Sequence, residues 1–170
     1  MVKSEKRLKE LAAVLGRDND EETVRMILSL REEEPFKGAI ALLAEKYDHT
    51  NNTLLIKTIE AFCNDLRDPS LREEVISEAG KHYNNNTIRM LLSSCWQSGL
   101  DYSDWAVELT DLFVRSEYNI ALECLTILEY SAGGIAHATR NNMINTIRES
   151  LISYSGEKSR LADELINILR

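Results

Sequence analysis

A short phrase occurs twice in this chain and constrains the fold more than any other feature. TVRMILS at residues 23–29 returns as TIRMLLS at residues 87–93, with five of seven positions identical and the other two exchanged between aliphatic side chains. The copies lie 64 residues apart, and apolar patterns of the same kind stand between them. Such self-similarity at a fixed spacing indicates a repeat architecture.

The apolar residues follow helical spacing along the whole chain. In 84–98, Ile88, Leu91, Leu92 and Cys95 occupy one face of a helix, at positions i, i+3, i+4 and i+7. Gly (7) and Pro (2) are too scarce for the turns of an all-β protein. The pattern predicts about ten helices, at 3–15, 20–33, 36–47, 52–66, 69–83, 86–98, 103–115, 118–131, 135–154 and 157–169.

Local signals mark several helix ends. Asp68 before Pro69 is a candidate N-cap followed by a proline at the first helical position. Gly99 is expected to end one helix, and Ser103 to cap the next. The sequons at Asn51 and Asn85 are interpreted as helix-start chemistry, because no secretory signal accompanies them.

The predicted helices repeat in pairs. Aligning Val24, Leu55, Ile88 and Ala121 gives a period of about 31–33 residues and places Leu28, Ile59, Leu92 and Leu125 in the same buried register. Two helices in a unit of this length are typical of a helical solenoid, because each hairpin buries its apolar face only by stacking on its neighbours.

The ends of the chain depart from the repeat. Residues 1–16 have no repeat equivalent, so we expect an N-terminal cap helix. Gly133-Gly134 interrupts the spacing, and 135–170 is predicted to form an atypical C-terminal closing hairpin. We therefore predict that 1–170 forms a single repeat domain.

The starts of the second helices resemble HEAT and armadillo-like repeats. NDEETVRMILSL (19–30) and NNNTIRMLLSSC (84–95) each combine an Asx-rich turn, an aliphatic–Arg pair and a run of small and aliphatic residues. TNNTLLIKTIEA (50–61) keeps the turn without the arginine, and SEYNIALECLTIL (116–128) keeps only the turn and the apolar face. The resemblance implies an all-α, right-handed α-α superhelix of about five helical hairpins.

In such stacks the second helices line a concave binding face, so the resemblance implies rows of exposed residues across the repeats. The alignment gives three rows: Arg25, Ile56, Arg89 and Leu122; Ser29, Glu60, Ser93 and Thr126; Glu32, Cys63, Trp96 and Glu129. Tryptophan and arginine are enriched in interface hot spots. The predicted partner-binding residues are Arg25, Ser29, Glu60, Arg89, Ser93, Trp96, Thr126 and Glu129.

The charge balance bears on the class of partner. A net charge of −8 argues against a general nucleic-acid binder, because phosphate contacts need clustered lysine and arginine. Some HEAT-like proteins are DNA glycosylases with a basic, tryptophan-lined surface, whereas this chain has two tryptophans and a pI near 5.0. A DNA-repair function therefore requires a basic stripe in the folded protein.

Signals for catalysis and metal binding are weak. No phosphate-cradling glycine loop or metalloprotease motif occurs, and His49 and His82 are interpreted as exposed turn residues. Cys63, Cys95 and Cys124 lie in apolar helical patterns, where a free cysteine behaves as a small hydrophobe. We expect no catalytic residue, no metal site and no cofactor.

These observations combine into one hypothesis with two alternatives. The apolar run 39–44 is too short to cross a bilayer and no signal-peptide core follows the basic N-terminus, so we expect a cytoplasmic protein without membrane association. The favoured function is a non-catalytic scaffold or adaptor that binds a protein or peptide, as a monomer or weak dimer. The alternatives are a nucleic-acid-binding or DNA-repair solenoid, and a structural self-assembly module.

Overall fold

The structure, a computed structural model, describes residues 2–17, 19–153 and 156–170, and its ordered elements there are all helical. The α-helices of this part are α1 Val2–Leu15, α2 Asp20–Leu30, α3 Ala39–His49, α4 Thr53–Asn64, α5 Arg72–Ala79, α6 Asn85–Gln97, α7 Ala106–Arg115, α8 Tyr118–Ser131, α9 His137–Ser150 and α10 Glu157–Leu169. Single 3₁₀ turns precede α5 and α7 and follow α8 and α9. The predicted all-α class is confirmed.

Asparagine N-caps start three of the even-numbered helices. The side-chain oxygens of Asn19, Asn52 and Asn84 accept backbone N–H groups from the first turns of α2, α4 and α6. Each cap satisfies a donor that has no partner within its own helix. The helix-start interpretation of the asparagine-rich turns is confirmed. The predicted cap at Asp68 is also confirmed: its carboxylate accepts the N–H of Ser70, and Pro69 is the first residue of the 3₁₀ turn that it caps.

The boundary between α2 and α3 differs from the prediction. We predicted that the helices would end at 33 and begin at 36, but α2 ends at Leu30 and α3 begins at Ala39. Three adjacent carboxylates at 32–34 would lie at the negative end of the α2 dipole, which disfavours extension of the helix. Gly38 then adopts a φ of 97°, and a Cβ there would meet the Leu8 side chain at 2.8 Å.

The prediction that Ser103 caps α7 is wrong. Ser103 is the first residue of the 3₁₀ turn that precedes α7, and the carboxylate of Asp101 accepts its N–H and hydroxyl. Gly99 does follow the end of α6 with a φ of 71°, as expected for a glycine after a helix C-terminus. Position 154, the end of the predicted 135–154 helix, lies outside the described residues, and α9 itself covers His137–Ser150.

The chain divides into two compact units, Met1–Ser98 and Gly99–Arg170. In the first, α1 packs on α3 and α3 on α5, while α2 packs on α4 and α4 on α6. Odd-numbered and even-numbered helices thus follow one another in separate series, and the hairpin pairs α3–α4 and α5–α6 also pack together. The predictions of a single domain and of a superhelix stay predictions.

The described residues of the second unit form four α-helices, α7 to α10. Within it α7 packs on α8 and α9, and α10 packs on α8 and α9. Its core includes Phe113, Cys124, Ile147 and Leu165, each fully buried. Within the segment 135–170, α9 and α10 pack on each other, and their role as a closing hairpin stays a prediction.

The buried register of the first unit differs by one residue from the alignment. Thr23, Leu55 and Thr87 are each completely buried, which gives an even period of 32 residues. Leu28, predicted in the core, is 48% exposed because Ile27 occupies the inward position. Cys63, predicted on an exposed row, is 1% exposed.

Candidate functional site

Three cations take the same outward position on α2, α4 and α6. Arg25, Lys57 and Arg89 each lie two residues after the buried position of their helix, so each is rotated about 200° from the core. All three are exposed. We call Arg25, Lys57 and Arg89 the basic row.

Both ends of α2 and α4 are connected, so these helices run side by side in the same direction. At the N-terminal ends, Asn52 Nδ2 donates to Asp20 Oδ2 at 2.7 Å. At the C-terminal ends, Arg31 forms a salt bridge with Asp65. This arrangement places equivalent positions of the two helices next to each other.

The start of α6 is held by the end of α3. Asp48 Oδ1 accepts the N–H of Asn84 at 2.9 Å and the hydroxyl of Thr87 at 2.6 Å. The Asn84 amide in turn donates to the Asp48 carbonyl oxygen at 3.2 Å. Since α4 begins a few residues after Asp48, the start of α6 lies beside the start of α4.

A polar cluster lies beside the basic row. The Tyr47 hydroxyl donates to Glu60 Oε1 at 2.8 Å. Burial, reinforced by Glu60, raises the pKa of Tyr47, while the nearby charge of Arg89 opposes the rise in this pKa. Glu60, about one turn beyond Lys57 on α4, thus accepts a hydrogen bond from Tyr47, and the charge of Arg89 lies close enough to act on this tyrosine.

A row of small residues runs next to the cations. Ser29, Ala61 and Ser93 occupy equivalent positions, four residues after the members of the basic row. The hydroxyls of Ser29 and Ser93 donate to carbonyl oxygens within their own helices, so they do not project from the surface. We call Ser29, Ala61 and Ser93 the small row. Half-buried Trp96 follows Ser93 on α6.

The predicted residues are therefore distributed over the two units. The first unit carries Arg25 and Ser29 on α2 and Arg89, Ser93 and Trp96 on α6, with α4 packed on both helices. Glu60 on α4 accepts the hydrogen bond from Tyr47. Half-buried Thr126 and exposed Glu129 belong to α8 in the second unit.

The alignment missed Lys57, although the sequence carries the signal for it. Dividing the 64-residue spacing of the repeated phrase equally places Leu55 opposite Thr23 and Thr87. Lys57 then aligns with Arg25 and Arg89, whereas our alignment placed Ile56 there. Ile56 is half-buried in the structure.

A cleft with mainly acidic side chains, opposite in charge to the basic row, opens at the C-terminal ends of α2 and α4. It has a volume of about 500 Å³, with an apolar floor that includes Phe36 and Phe62. Five carboxylates line it against two guanidinium groups. An anionic partner is therefore repelled at this end of the helices and attracted to the basic row.

The residues considered for metal binding do not cluster. Among the described residues no group of three or more histidine, cysteine or acidic side chains could hold a metal ion. His49 and His82 are both exposed, as predicted, and His49 Nδ1 lies 2.9 Å from the Glu45 carbonyl oxygen. In the described part of the chain, no helix is long and apolar enough to cross a membrane.

The chain matches no protein-family model, and comparison with curated proteins finds no significant match.

Proposed function

We propose that this chain is a non-catalytic scaffold of HEAT-like repeats that binds a protein or peptide on the outward face of α2, α4 and α6. The observation that carries the proposal is the basic row, in which one outward position of three successive even-numbered helices is cationic each time. Core packing does not require this, because outward positions are free to vary in charge.

The packing of the first unit supports a repeat stack. Helices of the even series follow one another, α2 on α4 and α4 on α6, and the odd series does the same. The even period of 32 residues is close to that of the shortest two-helix repeats, roughly 33–34 residues, and shorter than the roughly 40–47 residues usual for HEAT and armadillo repeats. These features support a stack of two-helix repeats for the first unit, and the HEAT-like class rests on the resemblance at the helix starts.

The mechanism is rigid presentation. Contacts at the helix ends, Asn52 with Asp20 and Arg31 with Asp65, hold α2 and α4 in register. A partner that binds across these helices then finds its contacts already arranged, which reduces the entropy lost on binding.

Nucleic acid is the second candidate, because the basic row is the kind of stripe that a nucleic-acid-binding solenoid requires. Its three cations are few for a polyanion, and the chain carries a net charge of −8. The acidic cleft beside them adds further repulsion. Protein binding is therefore favoured.

The test is affinity capture from a lysate with and without nuclease. The row variant is Arg25→Glu/Lys57→Glu/Arg89→Glu, and the control is Lys9→Glu/Lys37→Glu/Arg67→Glu, which changes the net charge equally at exposed positions of the same unit. We expect a nuclease-resistant protein that the control retains and the row variant loses. Circular dichroism checks that both variants keep their helicity.

The outcomes separate the candidates. Capture that depends on the row but disappears with nuclease would replace protein binding with nucleic-acid binding. Equal capture by the row variant and the control would place any binding surface elsewhere. Light scattering at two concentrations measures self-association, which a structural assembly module would show at equal strength in both variants.

A further inference from the structure

The spacing of the basic row limits the conformation that a bound segment can take. Side-by-side packed helices have axes about 8–10 Å apart, so equivalent outward positions recur at that distance across α2, α4 and α6. A bound segment that contacts Arg25, Lys57 and Arg89 must therefore carry side chains on one of its faces at a spacing of about 8–10 Å.

Polyproline II matches this interval. It has three residues per turn and a rise of about 3.1 Å, so every third side chain returns to the same side after about 9.3 Å. In a β-strand, side chains on one face are about 6.6 Å apart, and neither this distance nor twice this distance matches the 8–10 Å between neighbouring helices. An α-helix returns one after seven residues and about 10.5 Å, beyond the usual spacing.

The surface beside the cations also fits a narrow chain. The small row, Ser29, Ala61 and Ser93, lies next to the basic row, and its short side chains allow a backbone with proline rings to approach the helices closely. Trp96 follows Ser93 on α6, and aromatic side chains are the surfaces on which polyproline II segments dock.

The charges define the remaining chemistry. The basic row calls for anionic side chains, whereas the rest of the chain is acidic and repels a continuous polyanion. Neutral residues between the carboxylates reduce the repulsion between the segment and the acidic residues of the chain. Carboxylates at every third position, separated by proline, satisfy both requirements.

We infer that the partner of this surface is a proline-rich protein segment in polyproline II conformation with a carboxylate at every third residue, lying across α2, α4 and α6. Its carboxylates contact Arg25, Lys57 and Arg89, and its prolines lie over the small row and reach Trp96. This inference rests on the proposed function and adds the chemistry and conformation of the partner.

The test uses fluorescence anisotropy of a labelled peptide of repeated Glu-Pro-Pro units with the full chain. Comparison peptides with the same number of glutamates use Glu-Pro and Glu-Pro-Pro-Pro units, and Gln-Pro-Pro removes the charge. We expect the Glu-Pro-Pro peptide to bind about tenfold tighter than either spacing control, because only its carboxylates can contact three cations together.

Substitutions locate the site. Lys57→Gln should weaken binding by about threefold to fivefold, the effect of one exposed ion pair, and Arg25→Gln/Lys57→Gln by about tenfold or more. Lys37→Gln, an exposed lysine of the same unit outside the row, should leave affinity unchanged. Equal affinity for the three spacings, or equal affinity of Lys57→Gln and Lys37→Gln, would overturn the inference.

Two further probes compare other anionic ligands. Tighter binding by a helical peptide with a glutamate at every seventh residue, or by a single-stranded oligothymidylate, would also overturn the inference. Row-dependent capture of a protein together with failure of the Glu-Pro-Pro peptide would refute the partner chemistry and leave the scaffold function standing.

Discussion

The carboxylate of Glu74 on α5 accepts the backbone N–H of Gly38 at the start of α3, with 2.9 Å between Oε2 and the nitrogen. Its other oxygen accepts the N–H of Ala41 at 3.0 Å. Gly38 has no side chain with which to cap α3. A residue 36 positions later therefore supplies the cap, and its negative charge lies at the positive end of the helix dipole.

Loss of this remote cap should destabilise the first unit. Glu74→Ala leaves two N–H groups without their acceptor, which we expect to cost about 3 kcal/mol of unfolding free energy. Glu73→Ala, at the exposed neighbouring position, should have little effect. Urea unfolding in a Trp105→Phe background isolates the fluorescence of Trp96, which belongs to the first unit. Equal midpoints for the two alanine variants would contradict the assigned role.

The Asn84 cap should also carry measurable stability. Its side chain accepts the Thr87 N–H at 3.0 Å and donates to the Asp48 carbonyl oxygen. Asn84→Ala should therefore lower the unfolding free energy of the first unit by about 1–2 kcal/mol. Asn86→Ala, an exposed asparagine in the same helical turn, is the control. A loss of similar size in both variants would contradict the assigned cap, because helix propensity favours alanine over asparagine at position 86.

Lys158 on α10 closes the C-terminal end of α7 in the second unit. Its ammonium donates to the carbonyl oxygens of Val114, at 2.8 Å, and Ser116, and burial lowers the pKa of this lysine. Lys158→Met should raise hydrogen exchange in 106–115 by about tenfold, the effect of losing about 1.4 kcal/mol of local stability. Arg160→Met, an exposed change on the same helix, should leave hydrogen exchange in 106–115 unchanged. If 106–115 stays equally protected in Lys158→Met, Lys158 does not stabilise the C-terminal end of α7.

The first unit should lose stability in alkali. Burial, with a contribution from Glu60, raises the pKa of Cys63 from 9.0 to about 12. The pKa of Tyr83 rises from 10.0 through burial and its hydrogen bond to Glu78, and the pKa of Tyr47 rises in the same direction. A group whose folded pKa is raised stabilises the fold below its unfolded pKa, and this contribution is lost as pH increases.

We therefore expect the unfolding free energy of the first unit to fall from about pH 9 upward, with proton release on unfolding. Cys63→Ala and Tyr83→Phe should each flatten this dependence, whereas Tyr118→Phe in the second unit should not. Denaturant midpoints at successive pH values measure the slope. A profile that is unchanged in Cys63→Ala would show that the thiol does not titrate with unfolding.

Two of the three residues of the basic row were predicted from the sequence. Arg25 and Arg89 were predicted because the repeated phrase contains both, whereas Lys57 was missed because a one-residue error changes which side chain faces outward. Successive residues differ by about 100° around a helix. The sequence of a mostly apolar helix can therefore be aligned with those of its neighbours in two registers that differ by one residue. The complete burial of Thr23 and Thr87, at the positions equivalent to Leu55, resolves this choice.

By itself, the sequence determined the features that depend on residues a few positions apart. The helical spacing of apolar side chains, the N-caps at Asn19, Asn52 and Asn84 and the break at Gly133-Gly134 act within one or two helical turns, so they can be recognised locally. Only the tertiary structure decided the caps that come from distant helices. Glu74 and Lys158 reach backbone groups 33–44 residues away, and such contacts exist only after packing has brought the helices together.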